Sequence, residues 1–414
     1  MTKKSDAPAI RFKGFSDAWE QRKLGDVVKE IIRNDPESEA PIMMITANNG
    51  FIEQSERYAF NNAGESLKKY ILLKKGELAY NHGASKLRPY GSCFALTTAE
   101  NARIPFVYHC FSAENQNAEF MSIELNGAEI ENQLRKIVSS GARMDGLLNI
   151  SFDEYTSVSV LLPGTEEQDR IADFFRHLEN LITLHQRKFE KLTNVKKSML
   201  EKMFPQNGSS YPEIRFKGFT DPWEQRKLGE LVDRVVRKNI NNESTLPLTI
   251  SAQYGLVDQI TYFNNRVASR DVSNYYLVLN GEFAYNKSTS DGYPFGAVKR
   301  LDLYEKGVLS TLYIVFAPKK EQQIDSDYLT VFFDTDRWHK GVAERAAEGA
   351  RNHGLLNISA EDFFDIDLSV PKDIVEQKQI GAFIRQLDNL ITLHQRELEK
   401  LQNIKKSMLE KMFV

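Results

Sequence analysis

Two corresponding stretches of the chain place basic, amide and phenolic side chains among glycines, a combination suited to binding nucleic acid. They are NHGASKLRPYGS at residues 81–92 and NKSTSDGYPFG at residues 286–296, and each directly follows a tyrosine. Arginine and lysine reach phosphates and guanine, and asparagine reaches adenine, so these stretches predict DNA contact. The residues predicted to contact DNA here are Tyr80, Asn81, Lys86, Arg88, Tyr285, Asn286 and Lys287. A solvated surface loop is the alternative for each of them.

The tripeptide Gly-Ala-Arg also occurs twice, and it ends at Arg143 and at Arg351. The same arginine serves two otherwise different stretches of sequence. A contact that positions the DNA backbone therefore fits it better than the reading of particular bases. A structural turn with an exposed arginine is the alternative.

Motifs that would mark a catalytic centre are absent from the sequence. It contains no GxxxxGK[ST], GxGxxG, HExxH, paired CxxC or GxSxG pattern,. It also lacks a Pro-Asp start to a nuclease-like carboxylate cluster and the Asn-Pro-Pro-aromatic tetrapeptide of adenine methyltransferases. We therefore predict no catalytic residue and no metal site, and we expect Cys93 and Cys110 to be reduced core residues.

The chain contains the same sequence unit twice. IRFKGFSDAWEQRKLG at residues 10–25 returns at 214–229 with 14 of 16 positions identical, and the 24 residues at 181–204 return at 390–413 with 20 identical. Shorter matches between them are GELAYN with GEFAYN and GARMDGLLNIS with GARNHGLLNIS. Surfaces that meet the same partner must stay alike within one chain, whereas divergent surfaces meet different ligands or face solvent. Duplication followed by drift in the loops is the alternative.

The last part of each copy reads as a long helix. The 39 residues from Glu166 to Phe204 contain no Pro or Gly, and their apolar side chains recur at helical spacing,. Such a helix is roughly 58 Å long, and its stripe needs a second helix, most simply that of the other copy. His185 and His394 lie in these stripes, where fixing the helix register is expected in preference to binding metal. The modules before the helices mix strand-like and helix-like runs, which predicts an α/β fold.

Composition sets broader limits. The 414 residues predict two domains, and the formal net charge of −3 argues weakly against a protein that binds DNA unaided,. Clustered basic residues or a positively charged partner would be needed. No apolar run is long enough to cross a membrane, and the first residues lack a secretory signal, so we expect a cytoplasmic protein.

Taken together, the motifs resemble those of the specificity subunits of Type I restriction-modification enzymes. The likeness covers essentially the whole chain: WEQRKLG, then LLNIS followed by Pro, then EQxxI at the start of the helix, and finally LITLHQR with KKSMLEKMF, each present twice in this order. The order of two such units is far more specific than any single motif.

The resemblance implies a mixed α/β (α+β) fold in which two globular target recognition domains are joined by two long antiparallel coiled-coil helices, with a pseudo-two-fold internal repeat. Each recognition domain would read one half of a split, asymmetric target in double-stranded DNA. The predicted segments are recognition domain 1 at 1–163, a spacer helix at 164–204, a linker at 205–213, recognition domain 2 at 214–371 and a second spacer helix at 372–414.

The implied partners are two methyltransferase subunits and two motor-nuclease restriction subunits. S-adenosylmethionine, ATP and magnesium would belong to those partners, and this chain would carry no cofactor. The residues predicted to bind partners are the lysines repeated near the helix ends: Lys196, Lys197, Lys202, Lys405, Lys406 and Lys411. A solvated basic face is the alternative.

Two other functions remain open from the sequence. One is a stand-alone DNA-modifying enzyme with an unfamiliar active site, which would methylate DNA with S-adenosylmethionine and no partner. The other is a coiled-coil scaffold that never touches DNA, which sequence-preferring, salt-dependent DNA binding by the assembled complex would exclude.

Overall fold

The computed structural model describes residues 7–47, 49–57, 64–138, 147–206, 208–251, 254–290, 292–346 and 354–413. The chain forms two compact units. Unit 1 comprises residues 1–185 together with 396–414, and unit 2 comprises residues 186–395.

Unit 1 contains ten short strands, three short helices and parts of two long ones among its described residues. The strands are β1 (Glu20–Lys23), β2 (Val28–Glu30), β3 (Met43–Thr46), β4 (Gly50–Glu53), β5 (Ile71–Lys74), β6 (Leu78–Asn81), β7 (Ser92–Ala95), β8 (Asn101–Ile104), β9 (His109–Ala113) and β10 (Ser159–Leu162). The helices are α1 (Ala118–Leu125), α2 (Ala128–Ile137), α3 (Phe152–Thr156) and the long α4 (Thr165–Lys202). Short 3₁₀ turns lie at Leu24–Asp26, Gln54–Glu56 and Gly64–Lys69.

Unit 2 repeats this plan. Its strands are β11 (Glu224–Lys227), β12 (Val232–Arg234), β13 (Leu248–Ser251), β14 (Gly255–Asp258), β15 (Tyr276–Leu279), β16 (Phe283–Asn286), β17 (Ala297–Arg300), β18 (Lys306–Leu309), β19 (Ile314–Pro318) and β20 (Asp367–Val370). Its helices are α5 (Leu228–Leu231), α6 (Gln259–Phe263), α7 (Ser326–Phe333), α8 (His339–Arg345), α9 (Ala360–Phe364) and the long α10 (Ile374–Lys411).

Each unit is built on a four-stranded antiparallel sheet. The strand order is β2-β9-β6-β7 in unit 1 and β12-β19-β16-β17 in unit 2. Three two-stranded ladders accompany each sheet, namely β1-β10, β3-β4 and β5-β8 in unit 1 and β11-β20, β13-β14 and β15-β18 in unit 2. The two copies therefore share one topology, as expected of an internal repeat.

One of the two inner strands of each sheet, here called the central strand, is buried on both faces. In β6, Leu78 and Tyr80 belong to one apolar cluster whereas Ala79 belongs to another, because successive side chains of a strand point to opposite faces,. In β16, Phe283 and Tyr285 likewise belong to one apolar cluster, whereas Ala284 belongs to another. The last four residues of the repeated sequence GE(L/F)AYN thus form the central strand of each unit.

The two cysteines lie on opposite faces of the unit 1 sheet. Cys93 pairs in register with Tyr80, whereas Cys110 pairs with Ala79, the next residue along β6. Both thiols are buried and free, as expected of reduced core residues, and burial raises the pKa of each.

The long helices α4 and α10 each contribute to both units. In unit 1 the end of α10 runs antiparallel to the first half of α4, since Lys405 forms an ion pair with Glu179 while Phe413 lies 6.0 Å from Phe175 between ring centroids. The end of α4 packs in unit 2 on the core that includes Ile384 of α10. The predicted mixed α/β fold with two antiparallel long helices is confirmed.

Each unit closes on the end of a long helix in the same way. The amide of Ile10 donates to the carbonyl of Lys411 at 2.9 Å in unit 1, and the amide of Ile214 donates to that of Lys202 at 2.9 Å in unit 2. Phe413 then lies edge-on to Trp19, as Phe204 does to its counterpart Trp223. These contacts explain why IRFKGF and KKSMLEKMF are repeated together.

A buried ion pair holds the first residues of each module to the start of its helix. Arg11 donates two hydrogen bonds of 2.7 Å to Glu167, and Arg215 donates two of 2.7 and 2.8 Å to Glu376. Both carboxylates are 1% exposed. The Glu of the repeated EQxxI motif is therefore an anchor for the arginine of IRF.

Among the described helices, none combines the length and apolar content needed to cross a bilayer.

Candidate nucleic-acid interface

The tyrosines that precede the two predicted loops are core residues. Tyr80 is 1% exposed and stacks on Tyr155 at 3.9 Å, and Tyr285 is 0% exposed and stacks on Phe363 at 4.3 Å. Each hydroxyl donates to a carbonyl across its loop, that of Tyr90 at 2.6 Å in unit 1. Burial raises the pKa of both phenols. These two rings therefore hold the loop from inside, and their contact with DNA stays a prediction.

The asparagines at the strand ends shape the start of each loop. The Oδ1 atom of Asn81 accepts from the amide of Gly83 at 2.9 Å, and that of Asn286 accepts from the amide of Ser288 at 3.0 Å. Asn81 also donates to the carbonyl of Ile45 in β3 at 3.1 Å. An asparagine that bonds its own backbone two residues later turns the chain, which accounts for its repetition.

A glycine closes each loop where no other residue fits. Gly91 has φ +82° and Gly296 has φ +77°, and a Cβ atom there would lie 2.6 and 2.1 Å from the carbonyl oxygens of Asn81 and Asn286. The loops therefore have the same backbone closure although their sequences differ.

The basic side chains of the loops differ in what they contact. Lys86 is exposed. Arg88 is partly buried and donates to the carbonyl of Asn126 at 2.8 Å. Burial lowers the pKa of Arg88, and the charge of Glu131 opposes that shift without cancelling it. In unit 2, Lys287 donates to the carbonyl of Ile358 at 3.3 Å. Lys86 is thus the solvent-facing cation of this set.

Each loop lies beside the repeated LLNIS segment. Isolated antiparallel bridges join Gly83 to Leu147 and Ser288 to Leu355. Arg143 and Arg351, the predicted backbone contacts, lie outside the described residues. In sequence, each arginine lies four positions before the leucine of its bridge.

The serine of LLNIS caps the short helix that follows. Ser151 accepts from the amide of Glu154 while Glu154 accepts from the amide of Ser151, and Ser359 and Asp362 form the same capping box,. The sequence pattern Ser-x-x-acidic was a signal for these helix starts. The repetition of LLNIS therefore has a structural reason.

The glutamate of GE(L/F)AYN has a structural role as well. Glu77 accepts from Arg33 at 2.7 Å and from the amide of Lys74 at 2.6 Å. Glu282 accepts from Arg237 and from the amide of Leu279, both at 2.8 Å. These contacts fix the turn before each central strand.

The lysines predicted to bind partners do not form one uniform surface. Lys196 forms ion pairs within unit 2, Lys202 pairs with Glu213 at 2.6 Å, and Lys405 pairs with Glu179. Lys197, Lys406 and Lys411 are exposed. These last three lysines have the exposure that a partner would need.

The sequence analysis did not single out the histidines beside the unit 1 loop. His82 and His109 stack at 5.2 Å between ring centroids, and both contact carbonyls of the LLNIS segment. The available signal was the alignment of YNH with YNK, which places His82 where the other copy has Lys287.

The described residues include no group of three or more His, Cys, Asp or Glu side chains placed to hold a metal ion.

Comparison with known proteins identifies relatives of one kind. A family model described as the Type I restriction modification DNA specificity domain matches residues 220–403. The Type I restriction enzyme MjaVIII specificity subunit of Methanocaldococcus jannaschii is 23% identical over 290 residues, which is 66% of this chain. The chain spans 65% of the length of that relative.

Solved structures similar to this chain include other specificity subunits. The Type-I restriction-modification system S subunit from M. genitalium has a TM-score of 0.58 at 12% identity, covering 99% of both chains. The HsdS subunit from Thermoanaerobacter tengcongensis has a TM-score of 0.44 at 14% identity, covering 95% of this chain and 96% of that one.

Proposed function

We propose that the chain is a specificity subunit of a Type I restriction-modification enzyme, as its similarity to that family supports, and that it reads a bipartite, asymmetric DNA target, one half-site with each unit. Recognition is its role, and catalysis belongs to the subunits it assembles with.

The observation that carries this proposal is one framework with two different surfaces. The sheet order, the Arg–Glu anchor, the capping box and the loop closure recur in both units. Apart from the repeated GE(L/F)AYN, residues 26–140 and 230–348 share little sequence. A protein that reads two different half-sites and binds the same enzyme beside each of them needs a shared framework with two different DNA-facing surfaces.

The same reasoning supports the partners. We propose two methyltransferase subunits, which would meet the near-identical ends of α4 and α10, and two motor-nuclease subunits for restriction. S-adenosylmethionine, ATP and magnesium would act in those subunits. Of the repeated lysines, the exposed Lys197 and Lys406 are the matched pair with which to test this docking. Such a complex would work in the cytoplasm.

Exchange of the divergent segments tests the proposal. Replacing residues 26–140 by the corresponding segment of a related protein should change one half of the methylated motif, and replacing residues 230–348 should change the other half. The readout is a genome-wide map of methylated adenines in cells that also supply the methyltransferase. Changes in both halves from one exchange would contradict the assignment of one half-site to each unit.

The alternatives predict different results. Methylation by the purified chain with S-adenosylmethionine alone would show a stand-alone enzyme. A complex that assembles but shows no salt-dependent, sequence-preferring binding to DNA would show a scaffold.

A further inference from the structure

The turns of the β3–β4 and β13–β14 hairpins share a framework but present different side chains. Their sequences are ITANNG at residues 45–50 and ISAQYG at residues 250–255. The hydroxyl of Thr46 accepts from the amide of Asn49 at 3.2 Å, and that of Ser251 accepts from the amide of Tyr254 at 3.3 Å. Asn49 and Tyr254 therefore occupy equivalent positions, each directly before the glycine that ends its turn.

The strand pairing gives both turns the same length. Thr46 pairs with Gly50 and Ser251 pairs with Gly255, so three residues connect the paired strands of each hairpin. Gly50 has φ +65° and Gly255 has φ +78°, a conformation that glycine adopts without strain. The hydroxyl and the glycine thus define the turn in both units, whereas the residue between them that precedes the glycine differs.

The side chains that precede these glycines face solvent. Asn49 is exposed, and Tyr254 is 56% exposed. Among the described residues, neither side chain has a hydrogen-bond partner or a ring contact. By contrast, Ile45 and Leu256 of the same hairpins are 2% and 1% exposed and belong to the apolar clusters. The hairpins are therefore anchored in the core, and the two tip side chains do not contribute to it.

The turn of unit 1 lies beside the loop that is predicted to contact DNA. Asn81, which begins that loop, donates to the carbonyl of Ile45 at 3.1 Å. A Cβ atom on Gly50 would lie 3.1 Å from the ring of Phe94 in β7, the strand that follows the loop. The hairpin of unit 2 is placed alike, since β14 contacts β17 as β4 contacts β7. Each unit therefore carries this turn next to the strand that follows its predicted loop.

The unit 1 loop adds a positive charge to this surface. Lys86 is exposed and the adjacent Leu87 is 60% exposed, whereas Arg88 anchors the loop to the carbonyl of Asn126 at 2.8 Å. Proteins that read DNA combine contacts to phosphates, which position the protein, with contacts to base edges, which specify the sequence. The exposed lysine suits the first kind of contact, and the exposed amide of Asn49 suits the second.

We infer that the residue before the turn glycine is a specificity-determining residue, Asn49 for the half-site of unit 1 and Tyr254 for the half-site of unit 2. An asparagine amide donates to N7 and accepts from the amino group of adenine, whereas a tyrosine ring places apolar surface against the methyl group of thymine. One framework with different tips gives each unit its own base contact at the same place. The inference rests on the proposed function and names single residues within the exchanged segments 26–140 and 230–348.

Substitutions in the assembled complex with the methyltransferase test the inference. Asn49→Ala should lower the discrimination at one base pair of one half-site about tenfold, as expected when a bidentate base contact is lost. Asn49→Asp should shift the preference there from adenine toward cytosine, because a carboxylate accepts from the amino group of cytosine. Tyr254→Ala should relax one base pair of the other half-site only. The readout is sequencing of the methylated products from DNA in which both half-sites are randomised.

Matched variants supply the controls. Tyr211 is 52% exposed and lies outside both turns, so Tyr211→Ala should leave the whole motif unchanged. Tyr254→Phe keeps the ring and should keep the base preference. Thermal unfolding of each variant checks the fold, which the tip side chains do not support. Asn49→Asp and Tyr254→Phe nearly preserve the size of the side chain, and they decide the outcome where an alanine variant fails to fold.

The possible failures are distinguishable. If the unmodified complex methylates a two-part motif and the Asn49 and Tyr254 variants all keep each of its base pairs, the inference is overturned and the proposed function stands. If the unmodified complex reads no two-part motif, both are overturned. Weaker co-purification of an alanine variant with the methyltransferase, at an unchanged motif, would assign the turn to partner binding and would also overturn the inference.

Discussion

Replacing Lys196 by methionine should destabilise unit 2 by about 2 kcal/mol, although the same lysine in the other copy should matter little. The Nζ atom of Lys196 lies 3.2 Å from Asp334 and 2.7 Å from Asp388, and Lys299 lies 2.7 Å from the other oxygen of Asp334. The side chains of Lys196, Asp334 and Lys299 are 17–19% exposed. Together they tie the end of α4 to α7 and α10.

The magnitude follows from what remains after the substitution. Removing one member of a buried pair costs about 3–5 kcal/mol when the other charge is left without compensation. Asp334 keeps Lys299, so the expected loss is closer to that of one charged hydrogen bond, about 1.5–3 kcal/mol. Methionine retains most of the packing of the lysine stem. The loss is therefore assigned to the charge.

Lys405→Met is the matched control. Lys405 occupies the same position in the repeated KKSMLEKMF sequence, but its ion pair with Glu179 is 35% and 49% exposed. Such a surface pair contributes at most about 1 kcal/mol. Because the two lysines share the same local sequence but differ in burial, comparing the two variants measures the effect of burial.

Thermal unfolding followed separately in each unit measures the difference. A loss of 2 kcal/mol in a unit of this size lowers the midpoint by about 4–8 °C, which Lys196→Met should show in unit 2 and Lys405→Met should not show in unit 1. Equal shifts in the two variants, or none in Lys196→Met, would refute the argument from burial.

The same network predicts a response to acid. Burial raises the pKa of Asp334, but the charges of Lys299 and Lys196 outweigh it and hold the pKa below its usual value. A lowered pKa means that this carboxylate stabilises the fold above about pH 4 and ceases to do so as the pH falls further. Without Lys196 the pKa rises, so the variant should lose stability at a higher pH during acid titration.

Three further outcomes are expected. Gly296→Ala should lower the free energy of unfolding by more than about 2 kcal/mol, because the added Cβ would lie 2.1 Å from a carbonyl oxygen,. Gly292 has a similar φ of +76° but open space around it, so Gly292→Ala should lower the free energy of unfolding by only about 1 kcal/mol,. Glu376→Gln should cost about 3 kcal/mol in denaturant unfolding of unit 2, because Arg215 loses its buried carboxylate,. Adding four residues to both α4 and α10 at facing points should widen the gap between the two halves of the methylated motif by one or two base pairs, because four residues are close to one full helical turn. Adding two residues instead should abolish activity, because half a turn breaks the apolar stripe. An unchanged gap in an active complex with four added residues would contradict the first expectation.

The repeated motifs allowed the fold to be predicted from sequence, because the spacing of apolar residues and the lack of Pro and Gly define a long helix locally. The direction of individual loop side chains was not predictable in this way. Tyr80 is adjacent to the loop in sequence, but strand alternation turns its ring into the core while the next residue, Asn81, turns the chain. Whether a residue at a strand end points inward depends on the register with β7 and β9, which the sequence of β6 alone does not contain.

The basic residues show the same limit. Lys196 and Lys405 occupy identical sequences, yet one lies in a buried network and the other in a half-exposed pair. The difference comes from the divergent parts of the chain: Asp334 and Lys299 have no equivalent in the repeated motifs. The module that packs on a helix determines which of its residues are buried. Identical helix sequences can therefore contribute different amounts to the stability of the two units.

The packing of Phe413 on Trp19 determines which unit of a growing chain can complete its hydrophobic core first. Most of unit 1 is synthesised before unit 2, but its core also needs Met412 and Phe413. Residues 186–395, which make up unit 2, are all synthesised before residues 396–413. Unit 2 can therefore complete its core while unit 1 still exposes the surface around Trp19 and Phe120. Translation thus leaves an apolar site of unit 1 open until the residues that follow α10 fill it.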